Sequence, residues 1–230
     1  MRFFEKQENI TAFISDQSMD FQTEDFNAPL TDEQRGYLKK EIGLDVPRVF
    51  WRRQVHGDNV LVAEDVSCAA CSCPDADAFI TVQRRLPIAI RTADCVPVFL
   101  FDPSKPAIGM VHAGWKGTMK GIVHKTILRM KEIFGSDPQD VRAVLGPAIQ
   151  PCCYEVGREF RQYFPDEIIE RAGKTYADVT KNNYQQLLKA GLKKEHINNT
   201  EICTHCDVNY FSFRRDGQKA GRMISLMVML

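Results

Sequence analysis

Three metal-capable side chains follow short apolar segments at widely separated points of the chain. They are His56 in Arg53-Gln-Val-His-Gly57, Cys95 in Arg91-Thr-Ala-Asp-Cys-Val-Pro97, and His112 in Gly109-Met-Val-His-Ala-Gly-Trp-Lys-Gly117. The ends of strands are held rigidly by the sheet and often face a cleft, so side chains placed there have a defined geometry. A catalytic zinc ion takes three nitrogen or sulfur ligands and leaves its fourth position to water. The trio therefore predicts a zinc site.

The chemistry of such a site depends on what the cysteine does. Zinc lowers the pKa of bound water from 15.7 to about 7 and so supplies hydroxide at neutral pH. Asp77 and Asp94 are candidates to orient a histidine or to relay a proton. In the alternative interpretation Cys95 is itself a nucleophile, activated by His56 or His112. The residues alone leave both interpretations open.

Basic residues near the trio predict where an anionic substrate group would bind. Arg53 precedes His56 by three residues, and Arg91 precedes Cys95 by four. Gly114-Trp-Lys-Gly117 lies between a predicted strand and a predicted helix, so its amides and Lys116 are candidates to receive a phosphate. No G-x-G-x-x-G or phosphate-loop pattern is present, and ATP and NAD are not implied. A second candidate anion site comprises Arg214, Arg215 and Arg222.

The eight cysteines are interpreted as thiols or metal ligands, because the N-terminal residues do not resemble a secretion signal. Cys68-x-x-Cys71 and Cys203-x-x-Cys206 offer four thiolates, but the separation is much longer than in zinc ribbons. Cys152-Cys153 is expected to pack near a turn. We predict a cytoplasmic protein.

Composition excludes several classes of partner. Thirty Lys and Arg residues balance thirty Asp and Glu residues, so no net field attracts nucleic acid or an anionic membrane. No apolar run is long enough to span a bilayer. We therefore expect a small-molecule substrate, with no nucleic-acid and no membrane partner, for a monomer or a homodimer.

Alternating apolar segments predict the elements that carry these residues. Capping at Thr31 predicts a helix to about Ile42, and three- and four-residue spacing predicts a long helix over 115–134. The last two apolar segments, 210–214 and 222–230, predict a hairpin. The fold class is therefore mixed α/β, in one domain over residues 1–230. The predicted strands cover 10–14, 48–55, 59–63, 78–82, 87–92, 97–101, 107–111 and 141–145, and a further helix covers 178–192.

Seven motifs, in order along nearly the whole chain, resemble the laccase-domain family, once labelled multicopper polyphenol oxidoreductase. The resemblance implies a four-layer α/β/β/α fold with mixed sheets, like the cysteine-hydrolase-like domain of cytotoxic necrotising factor toxins. It also implies one zinc ion on His56, Cys95 and His112. The motifs are Gln54-Val-His-Gly57, Asp75-Ala-Asp-Ala78, Thr92-Ala-Asp-Cys-Val-Pro97, His112-Ala-Gly-Trp-Lys-Gly117, Gly146-Pro-Ala-Ile149, Cys152-Cys-Tyr-Glu-Val156 and Phe211-Ser-Phe-Arg-Arg-Asp-Gly217.

The resemblance implies an enzyme that phosphorolyses adenosine, inosine and 5′-methylthioadenosine and also deaminates adenosine. Its predicted catalytic residues are Cys95, His112, Asp77 and Asp94. An alternative within the family is a peptidoglycan editing amidase that removes L-serine from a UDP-muramoyl precursor. Copper and laccase activity are disfavoured, because five histidines are too few for a trinuclear cluster. A non-enzymatic metal or redox protein is a further alternative. The predicted substrate-binding residues are Arg53, Gln54, Arg91 and Lys116.

Overall fold

A computed structural model describes residues 1–5, 7, 9–65 and 74–230. Cys68, Cys71 and Cys73 lie outside the described residues, and so does any role predicted for them. The strands are β1 (Arg2–Phe3), β2 (Ile10–Ile14), β3 (Val60–Val62), β4 (Ala78–Thr81), β5 (Ile88–Thr92), β6 (Val96–Asp102), β7 (Ala107–Ala113), β8 (Arg142–Leu145), β9 (Glu155–Val156), β10 (Ile168–Arg171), β11 (Lys174–Ala177), β12 (Ile197–Asn199) and β13 (Met223–Met229). The α-helices are α1 (Asp32–Ile42), α2 (Trp115–Met119), α3 (Ile122–Phe134), α4 (Val179–Lys189) and α5 (Phe213–Asp216).

The strands form three sheets. One has the order β1-β2-β13-β5, and its neighbouring strands are all antiparallel. A larger sheet has the order β12-β8-β6-β7-β4-β3, with parallel pairs at its two edges and antiparallel pairs inside. A small antiparallel sheet has the order β10-β11-β9. Every residue of β6 and β7 is buried, which explains why these strands are nearly continuous apolar runs.

The helices and sheets form four layers, and three clusters of buried apolar side chains lie between them. Leu38 of α1 packs in one cluster with residues of the four-stranded sheet. Met227 and Phe99 belong to the cluster between the two large sheets. Val123 of α3 and Leu187 of α4 pack on the other face of the six-stranded sheet. The layers thus follow the order helix, sheet, sheet, helices, and the predicted mixed α/β class is confirmed.

Three sequence-based predictions of elements were wrong. The predicted long helix divides into α2 and α3 at Gly121, whose φ is +78°, a conformation that costs other residues more than glycine. The predicted strand over 48–55 forms only a bridge, between Phe50 and Ile88. The predicted terminal hairpin is absent from the described chain, because β13 pairs with β2 and β5 instead. Each error concerns either the pairing partner of a strand or a break in a helix, and local periodicity encodes neither.

No α-helix within the described parts of the chain combines the length and apolar character needed to cross a bilayer.

Candidate active site

The side chains of His56, Cys95 and His112 come together at one end of the six-stranded sheet. Their potential ligand atoms all lie within 4.8 Å of one another, and the two imidazole centroids are 4.9 Å apart. The antiparallel register pairs Val96 with Ala113, so the beginning of β6, next to Cys95, adjoins the end of β7, which carries His112. The predicted convergence is therefore observed. His56 is exposed, Cys95 is half-buried and His112 is buried.

Asp77 holds the two histidines in place. Its fully buried carboxylate lies 2.7 Å from His112 Nδ1. It also accepts hydrogen bonds from the backbone amides of Val55, His56 and Gly57, at 3.2, 3.0 and 2.7 Å. Burial alone would raise its pKa, but His112 and these amides lower the pKa below its usual value. The carboxylate therefore fixes the His112 ring and directs Nε2 toward the other two groups.

The glycines of Gly114-Trp-Lys-Gly117 allow close packing beside the trio. A Cβ atom at Gly114 would lie 2.7 Å from His56 Cδ2 and 3.1 Å from Cys95 Sγ. A Cβ atom at Gly117 would lie 2.6 Å from the carbonyl oxygen of Gly57. These positions need glycine because the start of α2 touches the His56 loop directly. This segment therefore supports the geometry of the trio.

Cys95 and His112 form a coupled pair in the metal-free protein. Burial alone raises the pKa of the Cys95 thiol, but the charge and hydrogen bonds of His112 and His56 lower that pKa to about 6. Burial lowers the pKa of His112, but the charge of Cys95 and the hydrogen bond to Asp77 raise it to about 9. Between these two values the thiolate and the imidazolium coexist. The thiolate is both the metal-binding and the nucleophilic form of cysteine.

We expect iodoacetamide to alkylate Cys95 of the metal-stripped protein with a half-maximal rate near pH 6. The thiolate reacts, and its fraction rises as the pH rises through the lowered pKa of about 6. Mass spectrometry of the Cys95 peptide at a series of pH values measures this rate. Cys152 is the control, because its pKa is raised to about 11 and its labelling should begin only in strong base. A Cys95 midpoint near that of an ordinary thiol would contradict the expectation.

Asp94 shapes the turn that presents Cys95. Its φ is +85°, and its buried carboxylate accepts hydrogen bonds from Thr204 Oγ1 at 2.7 Å and from the amide of Arg214 at 2.6 Å. Its carbonyl oxygen accepts a hydrogen bond from the amide of Ile149. Two distant loops thus hold a strained residue next to Cys95.

A cavity of about 560 Å³ opens beside the trio. This volume lies within the range of small-molecule sites. Seven of the predicted site residues line this cavity, namely Arg53, Gln54, His56, Arg91, Asp94, Cys95 and His112. The other lining residues are Gln22, Thr23, Glu24, Phe26, Ala93, Ile149, Tyr154, Phe213, Arg214 and Arg222.

Arg91 is a half-buried cation in the cavity wall. Its guanidinium lies 4.5 Å from the centroid of the Phe26 ring and donates a hydrogen bond to the Thr23 carbonyl oxygen. Burial and the nearby Arg222 lower its pKa to about 10. Gln54 pairs with the backbone N–H and C=O of Arg91, both at 2.8 Å. Gln54 therefore positions Arg91.

The remaining predicted anion-binding residues occupy different surroundings. Arg53 lines the cavity but forms an ion pair with Asp75 at 2.7 Å. Lys116 is exposed on α2, with Nζ 5.5 Å from the Trp115 ring centroid, and it is not among the residues that line the described cavity. The residues Arg214, Arg215 and Arg222 were predicted to form a separate anion site, whereas the structure places Arg214 and Arg222 in this cavity.

The chain matches the family model described as multi-copper polyphenol oxidoreductase laccase over residues 5–230. The chain belongs to this family. Two curated relatives named purine nucleoside phosphorylase are each 38% identical to it. The relative from Clostridium acetobutylicum aligns over 80% of this chain and 78% of its own length. The relative from Aquifex aeolicus aligns over 80% of this chain and 84% of its own length.

The fold of this chain is similar to that of solved structures of other proteins. The hypothetical protein YfiH of Bacillus licheniformis has a TM-score of 0.84 at 27% identity, covering 96% of this chain and 93% of the other. YlmD of Geobacillus stearothermophilus has a TM-score of 0.83 at 28% identity, covering 96% and 92%. The relatives' names support a nucleoside-processing enzyme with a small-molecule substrate. As a member of the laccase family, the chain has a candidate metal site in its trio.

Proposed function

We propose that the protein is a zinc-dependent enzyme of purine nucleosides that phosphorolyses adenosine, inosine and 5′-methylthioadenosine and deaminates adenosine. The observation that carries the proposal is the trio of ligand atoms, within 4.8 Å of one another, in the wall of an arginine-rich cavity. The relatives named purine nucleoside phosphorylase support the substrate class. We further propose that residues 1–230 form one cytoplasmic domain, related to the toxin fold and active as a monomer or a homodimer.

The donor set of the trio fits one zinc ion. His112 has its Nδ1 engaged by Asp77, which is the usual arrangement for an imidazole that ligates a metal through Nε2. Zinc–nitrogen distances of about 2.0–2.1 Å and zinc–sulfur distances of about 2.3 Å require only a small closure of the trio. When bound, zinc supplies a water molecule with a pKa near 7. A trinuclear copper cluster is disfavoured, because it needs many more imidazoles than His56 and His112, the two histidines in the metal-capable groups of the described chain.

The carboxylates act through the metal ligands. Asp77 is fully buried, so its contribution to proton transfer is to hold a proton at His112 Nδ1. Both carboxylate oxygens of Asp94 already accept hydrogen bonds, and we assign this residue to positioning Cys95.

Tyr154 also lines the cavity, and burial together with the Cys95 charge raises the pKa of its hydroxyl to about 12. It therefore keeps its proton and can donate a hydrogen bond to substrate.

We assign phosphate binding to Arg91. Within the described chain its Nε is buried without a hydrogen-bond partner, and its guanidinium lies in the cavity wall beside Arg222. An arginine can bind two phosphate oxygens at once. Arg53 and Arg214 line the same cavity and supply further positive charge.

Replacing Arg91 with glutamine is expected to raise the KM for phosphate in inosine phosphorolysis by about 10- to 100-fold, the loss of one or two charge-assisted hydrogen bonds. Adenosine deamination uses water instead of phosphate, so its rate should change much less. Ribose-1-phosphate and ammonia assays measure the two reactions on one preparation. Arg84→Gln is the matched control. It removes the same charge from an arginine that donates to the Leu230 carbonyl oxygen and is not among the residues that line the cavity. Equal losses in both reactions would contradict the assignment.

The proposed function is tested by offering adenosine, inosine and 5′-methylthioadenosine with and without phosphate. Phosphorolysis requires phosphate and yields the free purine with a sugar 1-phosphate, whereas deamination of adenosine yields inosine and ammonia without it. Activity that is independent of phosphate for all three nucleosides would limit the proposal to hydrolytic chemistry. Failure on all three nucleosides would overturn it.

The second candidate is a peptidoglycan editing amidase that removes L-serine from a UDP-muramoyl precursor. The observation that favours it is the group of arginines, including Arg53, Arg91 and Arg214, around an open cavity. Such a group suits a diphosphate as well as free phosphate. Release of serine from the muramoyl nucleotide, without turnover of inosine, would establish this function in place of the first.

Two other results would favour the remaining alternatives. A metal-loaded protein that turns over neither the nucleosides nor the muramoyl nucleotide would favour a metal-handling or redox role. Oxidation of a phenol would favour a laccase.

A further inference from the structure

A second group of metal-capable residues lies apart from the trio. Cys152, Cys153, Cys203 and Cys206 place their Sγ atoms within 4.8 Å of one another. All four are free thiols. The spacing in the sequence suggested Cys68-x-x-Cys71 as the partner of Cys203-x-x-Cys206, whereas the structure places Cys203 and Cys206 beside Cys152 and Cys153.

The fold explains why these four cysteines meet. Strand β12 pairs in parallel with β8, with Asn199 opposite Leu145, so the loops that follow both strands leave the same edge of the sheet. The parallel pairing continues beyond the strands as a bridge between Ala148 and Cys203. Each loop then delivers two cysteines, one pair at 152–153 and the other at 203 and 206. The arrangement depends on the sheet and does not require any disulfide.

The spacing of the sulfur atoms suits a tetrahedral metal. Four thiolates at about 2.3 Å from zinc are separated from one another by about 3.8 Å. Cys206 Sγ lies 3.8 Å from Cys152 Sγ and 3.2 Å from Cys153 Sγ. Only small side-chain shifts are therefore needed to surround an ion.

The backbone also favours negative charge on one of these sulfurs, Cys203 Sγ. The amide of Gln150 donates to Cys203 Sγ at 3.5 Å, and the amides of His205 and Cys206 make further hydrogen bonds to this sulfur. The guanidinium of Arg171 donates to the Cys152 carbonyl oxygen at 2.9 Å, next to the cluster. Amide donors and a nearby cation both reduce the cost of gathering thiolates.

We propose that Cys152, Cys153, Cys203 and Cys206 form a structural zinc site that clamps two loops behind the active-site cavity. The four thiols lose their protons to solvent when the ion binds, and no redox change takes place. Four protein thiolates close the coordination sphere, so this site stabilises structure instead of activating water. The clamped loops carry Thr204 and Ile149, which contact Asp94 next to Cys95. The second zinc ion therefore supports the turn that presents Cys95.

Zinc content measured by mass spectrometry of the purified protein tests this proposal. The His112→Ala variant, which lacks a ligand of the trio, should retain one zinc equivalent whose X-ray absorption shows an all-sulfur shell at about 2.3 Å. Adding Cys206→Ser should remove that equivalent, whereas adding Cys206→His, which restores a ligand, should retain it. Cys71→Ser is the control and should leave the zinc content unchanged.

Two outcomes would overturn the second site. One is a Cys153–Cys206 disulfide, found by mass mapping without reduction, in protein that contains no zinc outside the trio. The other is loss of the all-sulfur zinc in Cys71→Ser, which would assign the ligands to the other cysteine motif. If Cys206→Ser is insoluble, the Cys206→His variant and the absorption spectrum of His112→Ala still decide between these results. None of these outcomes depends on the nucleoside activity.

Discussion

Replacing His112 with alanine is expected to remove zinc from the trio and to lower the rate of adenosine deamination by about 10²- to 10⁴-fold, the range for a positioned acid–base group. Two effects combine in this variant. The site loses an imidazole ligand held by Asp77 at 2.7 Å, and Cys95 loses the charge that lowers its pKa to about 6. Zinc content and initial rates, measured on one preparation with nickel- and copper-free buffers, check both losses.

His196→Ala is the matched control for this variant. His196 lies on a short 3-10 helix, Lys194–His196, outside the metal-capable groups of the described chain. Its replacement should leave zinc content and rate within about twofold, because this half-buried histidine is not among the residues that line the cavity. Full deamination by a His112→Ala protein that lacks zinc at the trio would rule out a catalytic metal there. Covalent trapping of Cys95 by a substrate-like electrophile would then favour the nucleophile interpretation.

The Asp77→Asn variant is expected to bind zinc at the trio about 10- to 100-fold more weakly, a typical loss when the partner of a metal-bound histidine is changed. The carboxylate holds His112 Nδ1 and three backbone amides of the His56 loop. An asparagine keeps the size but loses the charge and one acceptor. Competition with a chelating indicator measures affinity, and kcat at saturating zinc separates weaker binding from slower chemistry.

Asp75→Asn makes the same chemical change two residues away. Asp75 is paired with the exposed Arg53, and its carboxylate makes no contact with the trio in the described structure. We expect zinc affinity to stay within about twofold of wild type, because exposed ion pairs contribute little. Asp77→Glu should restore part of the affinity by keeping the charge. Equal losses in Asp75→Asn and Asp77→Asn would show that charge alone, and not contact with His112, controls the affinity.

The local sequence was sufficient to predict the ligand types and most of the elements that carry them. The end of β7 and the beginning of β6 follow from their apolar runs, and these runs place His112 and Cys95 at strand ends. The capping box at Thr31 was also visible in the sequence and is present at the start of α1. These signals are local, because each depends on residues a few positions apart.

The support of the trio was only partly visible in the sequence. Asp77 was a candidate because it lies in Asp75-Ala-Asp-Ala78, but its three amide contacts require a loop folded back onto β4. Gly114 and Gly117 lie in a segment predicted as a candidate phosphate site. Their close contacts with His56 and Gly57 show a packing role that the sequence did not reveal. A glycine pattern does not reveal which neighbour approaches it.

The cavity wall and the cysteine cluster depend on pairings across the whole chain. Arg222 reaches the cavity because β13 pairs with β5, where Met223 lies opposite Thr92, a residue 131 positions earlier in the chain. The four clustered cysteines meet because β12 lies parallel to β8. Neither register leaves a periodic signal in the adjacent residues, because strand pairing is set by burial and by the packing of distant segments.

By itself, the sequence determined which side chains are able to bind a metal and that they would stand at strand ends. Tertiary structure decided which of them share a site, which carboxylate holds them and which arginines line the cavity. The physical reason is that residue type and short-range periodicity are local properties. The convergence of a site is set by sheet register and layer packing, which connect residues far apart in the chain.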